Sequence, residues 1–315
     1  MSMQAAQPLN DAAFERVPLA APVRSASVAT LPLSAPAARP ASAPRRRRTA
    51  PAWVHGSAMA WLCGLLSIGA VLLAWHLATH YKLDAYVRFN NIPAPAAVFD
   101  KVLEVNQSPK FVANIGISLR RILLGFAVAT LLGVALGVLI GRYRWVRRLS
   151  FPALEVFRPI PAIAWVPMSI MLWPDNEVSI VFITFLGAFF PILLNTIHGV
   201  EAIDPVLLRA ARSLGAGERS VLAQVVLPGA LPHIFTGLAV GMGVAWVSLI
   251  AAEMISGQFG IGYFTWEAYS LIAYAEIALG MITIGVLGLA CSGGIRLLAK
   301  LVMPWQAHSA TGGRT

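Results

Sequence analysis

The chain has 315 residues, 57% of them hydrophobic and only 12% charged, with a mean hydropathy of +0.71 and a formal net charge of +10. That balance excludes an ordinary soluble domain and points to an integral membrane protein. The expected fold class is all-α, a polytopic membrane protein with about six transmembrane helices, because lipid-facing irregular backbone would leave peptide groups without hydrogen-bond partners.

Residues 1–56 belong to a different regime. They are rich in Ala, Pro and Ser, show no apolar periodicity and end near the run Arg45 to Arg48, so they read as a disordered tail. Such a run can bind nucleic acid or a lipid surface, but beside a span its commonest meaning is topological, which puts the tail in the cytoplasm and makes nucleic acid an unexpected partner. The apolar segment that follows is too long and too far from the N-terminus for a cleaved signal peptide. A membrane-spanning domain is expected over 57–304, with a short cytoplasmic tail over 305–315.

The first span is read at 57–78. Cys63 here and Cys291 in the last span read as small packing residues rather than a redox or metal pair, and His76 and His80 as interfacial histidines, since no third ligand lies nearby. The connection from His80 to Arg121 carries Lys82, Arg88, Lys101, Lys110, Arg120 and Arg121, an exception to the positive-inside rule that a long external segment tolerates. In the second span, 122–140, Gly133, Gly137 and the adjoining Gly141 form consecutive small-xxx-small steps for close helix packing. "GRYRWVRR", Gly141 to Arg148, is a basic inner connection.

Pro159, Pro161 and Pro167 crowd the third span, 149–173. The segment reads either as a bent helix or as a broken one bordering a pathway. Glu155 and Arg158 stand three apart and suit a helix pair. After a turn at Asp175 to Glu177 that carries no Lys or Arg, the fourth span covers 178–197 and leads into a polar loop, 198–232.

In that loop Asp204 and Pro205 supply an N-cap and first-turn proline, and Gly215 a left-handed stop. The short helix between them places Leu207, Ala211 and Leu214 on one face, with Arg209 and Arg212 on another; a second short helix starts near Glu218 and ends at Pro228. Locally this is an interfacial amphipathic connector. The fifth span, 234–256, contains Glu253, with no opposite charge within a turn, so it should face the interior as a gate residue or a buried hydrogen-bond partner. The connection Gly257 to Glu276 has no Lys or Arg, and the sixth span runs over 277–295. Charge bias therefore sets both termini in the cytoplasm.

One spacing goes beyond the generic. Ala210-Ala211, three residues, Gly215, nine residues, Val225, one residue and Leu227-Pro228 resemble the "EAA" loop of permease subunits of bacterial ATP-binding-cassette importers. Arg209 stands where that family usually carries glutamate, a reversal of charge. "SLRRILLGF", "FRPIPAIAWVPMSIMLW", "FFPILLNTIHGVEAID" and "AAEMISGQFGIGY" are similar to the nitrate, taurine and alkanesulfonate branch.

The resemblance implies a cytoplasmic coupling-helix loop formed by Arg209, Ala210, Ala211, Gly215, Val225, Leu227 and Pro228. It also implies an inner-membrane importer built from two permease copies, two ATPase subunits that hold ATP-Mg, and an extracytoplasmic solute-binding protein. The solute would be a small anion of the sulfonate, taurine or nitrate-like kind. Another small solute remains open, as does, more remotely, an ion-coupled secondary transporter. Pathway candidates are Glu253, Pro159, Pro161 and Pro167. No phosphate-binding loop occurs, since "GAGERS" lacks the lysine and a preceding strand, and no hydrolase or metalloprotease motif is present, so the chain is not expected to be an enzyme or to carry a cofactor or metal.

Overall fold

A computed structural model describes residues 57–81, 92–105 and 108–305, and among these it is helical without strands. The expectations for the tails over 1–56 and 306–315, and for Lys82 and Arg88, lie outside the described residues. Among the described residues five helices are long and apolar enough to cross a membrane.

The first is α1, Ser57–His80, whose described side chains are mostly exposed. It touches the short helix α2, Pro95–Val105, and the Trp75 indole donates to the Pro93 carbonyl just before that helix at 3.1 Å. His76 and His80 stack 5.9 Å apart, and Cys63 and Cys291 are both free. The next helix, α3, runs unbroken from Pro109 to Arg142. It therefore begins well before Ile122, and Arg120 and Arg121 lie inside it rather than in an external connection.

The basic segment after α3 is not a loop either. Only Tyr143 separates α3 from α4, Arg144–Phe157, an amphipathic helix with no buried residue. The expected third span is not one helix: α4 stops, residues 158–161 turn, a 3-10 turn covers Ala162–Trp165, and α5 is only Val166–Leu172. Pro159 and Pro161 each lack the N–H that a continuing helix requires, whereas Pro167 sits in the first turn of α5, where none is needed.

Helix α6, Asn176–Glu201, is N-capped by Asp175, whose carboxylate accepts from the Glu177 N–H at 3.0 Å. It is the centre of the molecule and packs on α3 and on α9, Leu227–Ser256. A Cβ on Gly125, Gly133, Gly137 or Gly141 would meet Thr184, Ile192, Thr196 or Val200 respectively. The offset along both helices is constant, so α3 and α6 run parallel. On the opposite side Gly187 meets Ser248 and Gly199 meets His233, so α6 and α9 run antiparallel. Both interfaces depend on small residues, as expected where no hydrophobic force pulls helices together. Ile122, Ile180, Ile183, Ile192, Leu193 and Leu249 fill the core between them.

The remaining elements are α7, Pro205–Ser213; α8, Glu218–Val221; α10, Ile261–Ser270; and α11, Tyr274–Val302. The connection expected over Gly257 to Glu276 thus contains a helix. Pro228 does not end a second loop helix: α8 passes through a π turn at Leu222–Val226 into α9. In that turn the Leu227 N–H bonds to the Leu222 carbonyl, and this wider pitch lets the chain absorb a proline without stopping. At the other end Lys101 bridges Glu104 at 3.0 Å and Glu276 at 3.1 Å, tying α2 to α11. These bonds, Glu104 first, hold the ammonium above its ordinary pKa.

Candidate functional site

At the end where α3 and α6 terminate, the chain from Ala202 to Gly217 forms a built loop. The Asp204 carboxylate accepts from the Val206 N–H at 2.7 Å and starts α7. Gly215, at φ 83°, stops it: the Gly215 N–H bonds to the Arg212 carbonyl and the Ala216 N–H to the Ala211 carbonyl, a Schellman closure.

Leu208, Ala211 and Ala216 pack on Val200, Val221, Val226 and Ala230. The inward face is thus Leu208 with Ala211, not the expected Leu207, Ala211 and Leu214. Val206, Leu207, Ala210 and Leu214 are exposed, Leu214 at 88%, beside exposed Arg209. The loop is braced beneath: Glu218 takes Arg142 at 2.8 Å and Arg212 at 2.6 Å, and Glu201 pairs with Arg147 of α4. Val225 lies in the π turn, and Leu227 and Pro228 open α9.

A second polar assembly lies at the opposite end. Glu253 is fully buried, but it is not alone: Arg121 Nη1 donates to it at 2.9 Å, Ser118 Oγ at 2.8 Å, and the Gly262 N–H at 2.9 Å. Ser118 Oγ in turn accepts from the Ile261 N–H at 2.9 Å, and the Arg121 guanidinium also grips Glu177 and the Phe259 carbonyl. Asn114 Oδ1 accepts from Gly260, which sits at φ 115° with its α-carbon against the Glu253 carboxyl, where any side chain would collide.

The junction joins α3, α6, α9 and the turn before α10. Glu253 is thereby an interhelix partner. Arg121, Ser118 and Asn114 are absent from the sequence-derived site, although Asn114, Ser118 and Arg121 stand at i, i+4 and i+7, one polar face of an apolar helix.

Of the other pathway candidates, Pro161 lines a cavity between the broken segment, α6 and α9, and Pro159 lies in the turn beside it. Pro167 and Glu253 are not among its lining residues. Arg158 pairs with Glu155 at 3.1 Å, both well exposed. The structure places Gly133, Gly137 and Gly141 together against α6, on the stretch of α3 between the two polar assemblies.

Membrane-length helices packed through glycines, with a capped and braced helical loop closing one end, define a multi-pass membrane subunit. The chain belongs to the binding-protein-dependent transport system inner membrane components, whose family model matches residues 129–307. It is 43% identical to a putative ABC transporter permease of Methanocaldococcus jannaschii, over 75% of this chain and 88% of that protein. It is 33% identical to the taurine transport system permease of Escherichia coli (77% and 90% covered) and 30% identical to a nitrate import permease of Synechocystis (83% and 95%). A crystal structure of an amino acid ABC transporter with histidines shares the fold at a TM-score of 0.50 and 18% identity, covering 63% of this chain and 97% of that one. The chain is therefore an ABC importer permease subunit of the inner membrane.

Proposed function

We propose that this subunit forms half of the translocation pathway for a small anionic solute and that a separate ATPase grips the Ala202–Gly217 loop. The observation that carries the coupling is the exposed apolar stripe Val206, Leu207, Ala210 and Leu214, held out on a helix that is capped at both ends, tied by Arg212 to Glu218 and flanked by the ion pairs Arg142–Glu218 and Arg147–Glu201. Leucines so exposed outside the long apolar helices suit a protein partner. Two copies of the chain, two ATPase subunits that carry the ATP-Mg, and an external solute-binding protein complete the assembly. The loop, the basic α4 and both termini face the cytoplasm, in accord with the excess of arginine at this end. Relatives named for taurine, which carries a sulfonate, and for nitrate support a cargo with a small oxoanion group.

Co-expression with the cognate ATPase tests the reading. The ATPase should co-purify with the parent chain and be lost with Leu214→Asp, while the variant still inserts. Retention of the ATPase by Leu214→Asp and by Leu207→Asp together would remove the loop from the coupling surface.

A further inference from the structure

The cavity beside the broken segment has a volume of about 560 Å³, within the range of about 300–1,000 Å³ for small-molecule sites. Its polar lining is Arg158, Asn195 and His198, against Phe190, Pro161 and Pro191, and no acidic side chain lines it. The other cavities with a basic side chain differ. Lys101 shares its cavities with Glu276, and Arg121 shares one with Asp175 and Glu177.

We infer that this cavity is a half-site for a small oxoanion, with Arg158 supplying the charge and His198 and Asn195 supplying N–H donors. Only Arg158 Nη1 is engaged by Glu155, in an exposed pair of the kind worth little, so the rest of the guanidinium fork is open to a planar or tetrahedral oxoanion. The imidazole of His198 offers a ring N–H whichever nitrogen carries the proton. Asn195 is held by one amide hydrogen on the Pro191 carbonyl at 2.8 Å, which leaves the other to a ligand. The arrangement exists because Pro159 and Pro161 break the crossing helix, which leaves Arg158 at the end of α4 beside α6 instead of continuing outward on a helical surface. The inference rests on the pathway reading for its biological meaning, but not for its chemistry.

The test uses purified full-length chain in nanodiscs, with Cys63 and Cys291 replaced by Ser and a single reporter, Val240→Cys, in the cavity wall. The probes are the anionic 2-sulfonatoethyl and the cationic 2-(trimethylammonio)ethyl methanethiosulfonates, each rate divided by that with a free thiol. The anionic-to-cationic ratio is expected to fall about tenfold on adding Arg158→Gln, the scale on which a lone charge focuses counter-ions in a cleft. Arg158→Lys should restore most of it, which a merely structural role for the arginine would not produce. Nitrate or taurine at millimolar concentration should slow the anionic reagent in the parent and not in the Gln variant. A ratio unchanged by Arg158→Gln, or no reaction with either reagent, overturns the inference. Labelling needs no ATPase, so a charge preference without ATP-driven uptake would count against the proposed function alone, and uptake without the preference against the oxoanion site alone.

Discussion

Glu253 and Arg121 show how one buried residue type commits several others. Both carboxylate oxygens of Glu253 accept: Oε1 takes Arg121, and Oε2 takes the Gly262 N–H. A glutamine has one acceptor oxygen, so Glu253→Gln must set an amide N–H against a donor. It should lower stability by about 1–3 kcal/mol. Glu253→Leu leaves the guanidinium with the Phe259 carbonyl and the half-exposed carboxylate of Glu177, and should cost about 3–5 kcal/mol. Thermal unfolding of the detergent-solubilised chain reads both, with the order parent, Gln, Leu. Equal midpoints for parent and Gln would show that the second acceptor is not needed.

At the scale of elements, the glycines of α3 and the stop of α7 act in different ways. Gly137 is a contact: a side chain there meets Thr196 and the Leu193 carbonyl, so Gly137→Val should destabilise the α3–α6 pair by about 1–3 kcal/mol, read by the same unfolding assay. Gly215 is a conformation: nothing lies within 4 Å of an added Cβ, yet φ is 83°, so Gly215→Val strains the turn without a clash. It should weaken ATPase co-purification while leaving the unfolding midpoint of the membrane helices within about 1 kcal/mol of the parent. The caps of α7, the small-residue steps and the long helices α6, α9 and α11 were all legible locally, because each follows from spacing within one turn or one span. The start of α3 was not: a hydropathy reading stops at Arg120 and Arg121, and the buried Arg121 is tolerated through Glu177 and Glu253, 56 and 132 residues away. Pro228 misled for a similar reason, since a π turn rather than any residue type admits it. Leu207 and Leu208 are adjacent on a nine-residue helix, and only the tertiary packing decides which one is inward.

For the whole molecule, the antiparallel α6–α9 pair and the parallel α3–α6 pair place Ser213 and Asn176 at opposite ends of the bundle. In the cysteine-free background, Asn176→Cys should react with an impermeant maleimide added to intact cells, and Ser213→Cys only once the membrane is permeabilised. Reaction of Ser213→Cys alone in intact cells would reverse the proposed orientation, and reaction of both would overturn it. The parallel pairing also bears on the order of assembly during synthesis. A hairpin can close as soon as its second arm is made, but α3 cannot meet α6 until the interrupted segment 143–175 has been made and threaded back across the bilayer. Until then Gly125, Gly133, Gly137 and Gly141 present a bare groove to lipid or to insertion factors. Of the contacts made by α3, its closest is therefore one that it must wait for, and a nascent chain halted at Leu172 would hold α3 without the helix its glycines are shaped to receive.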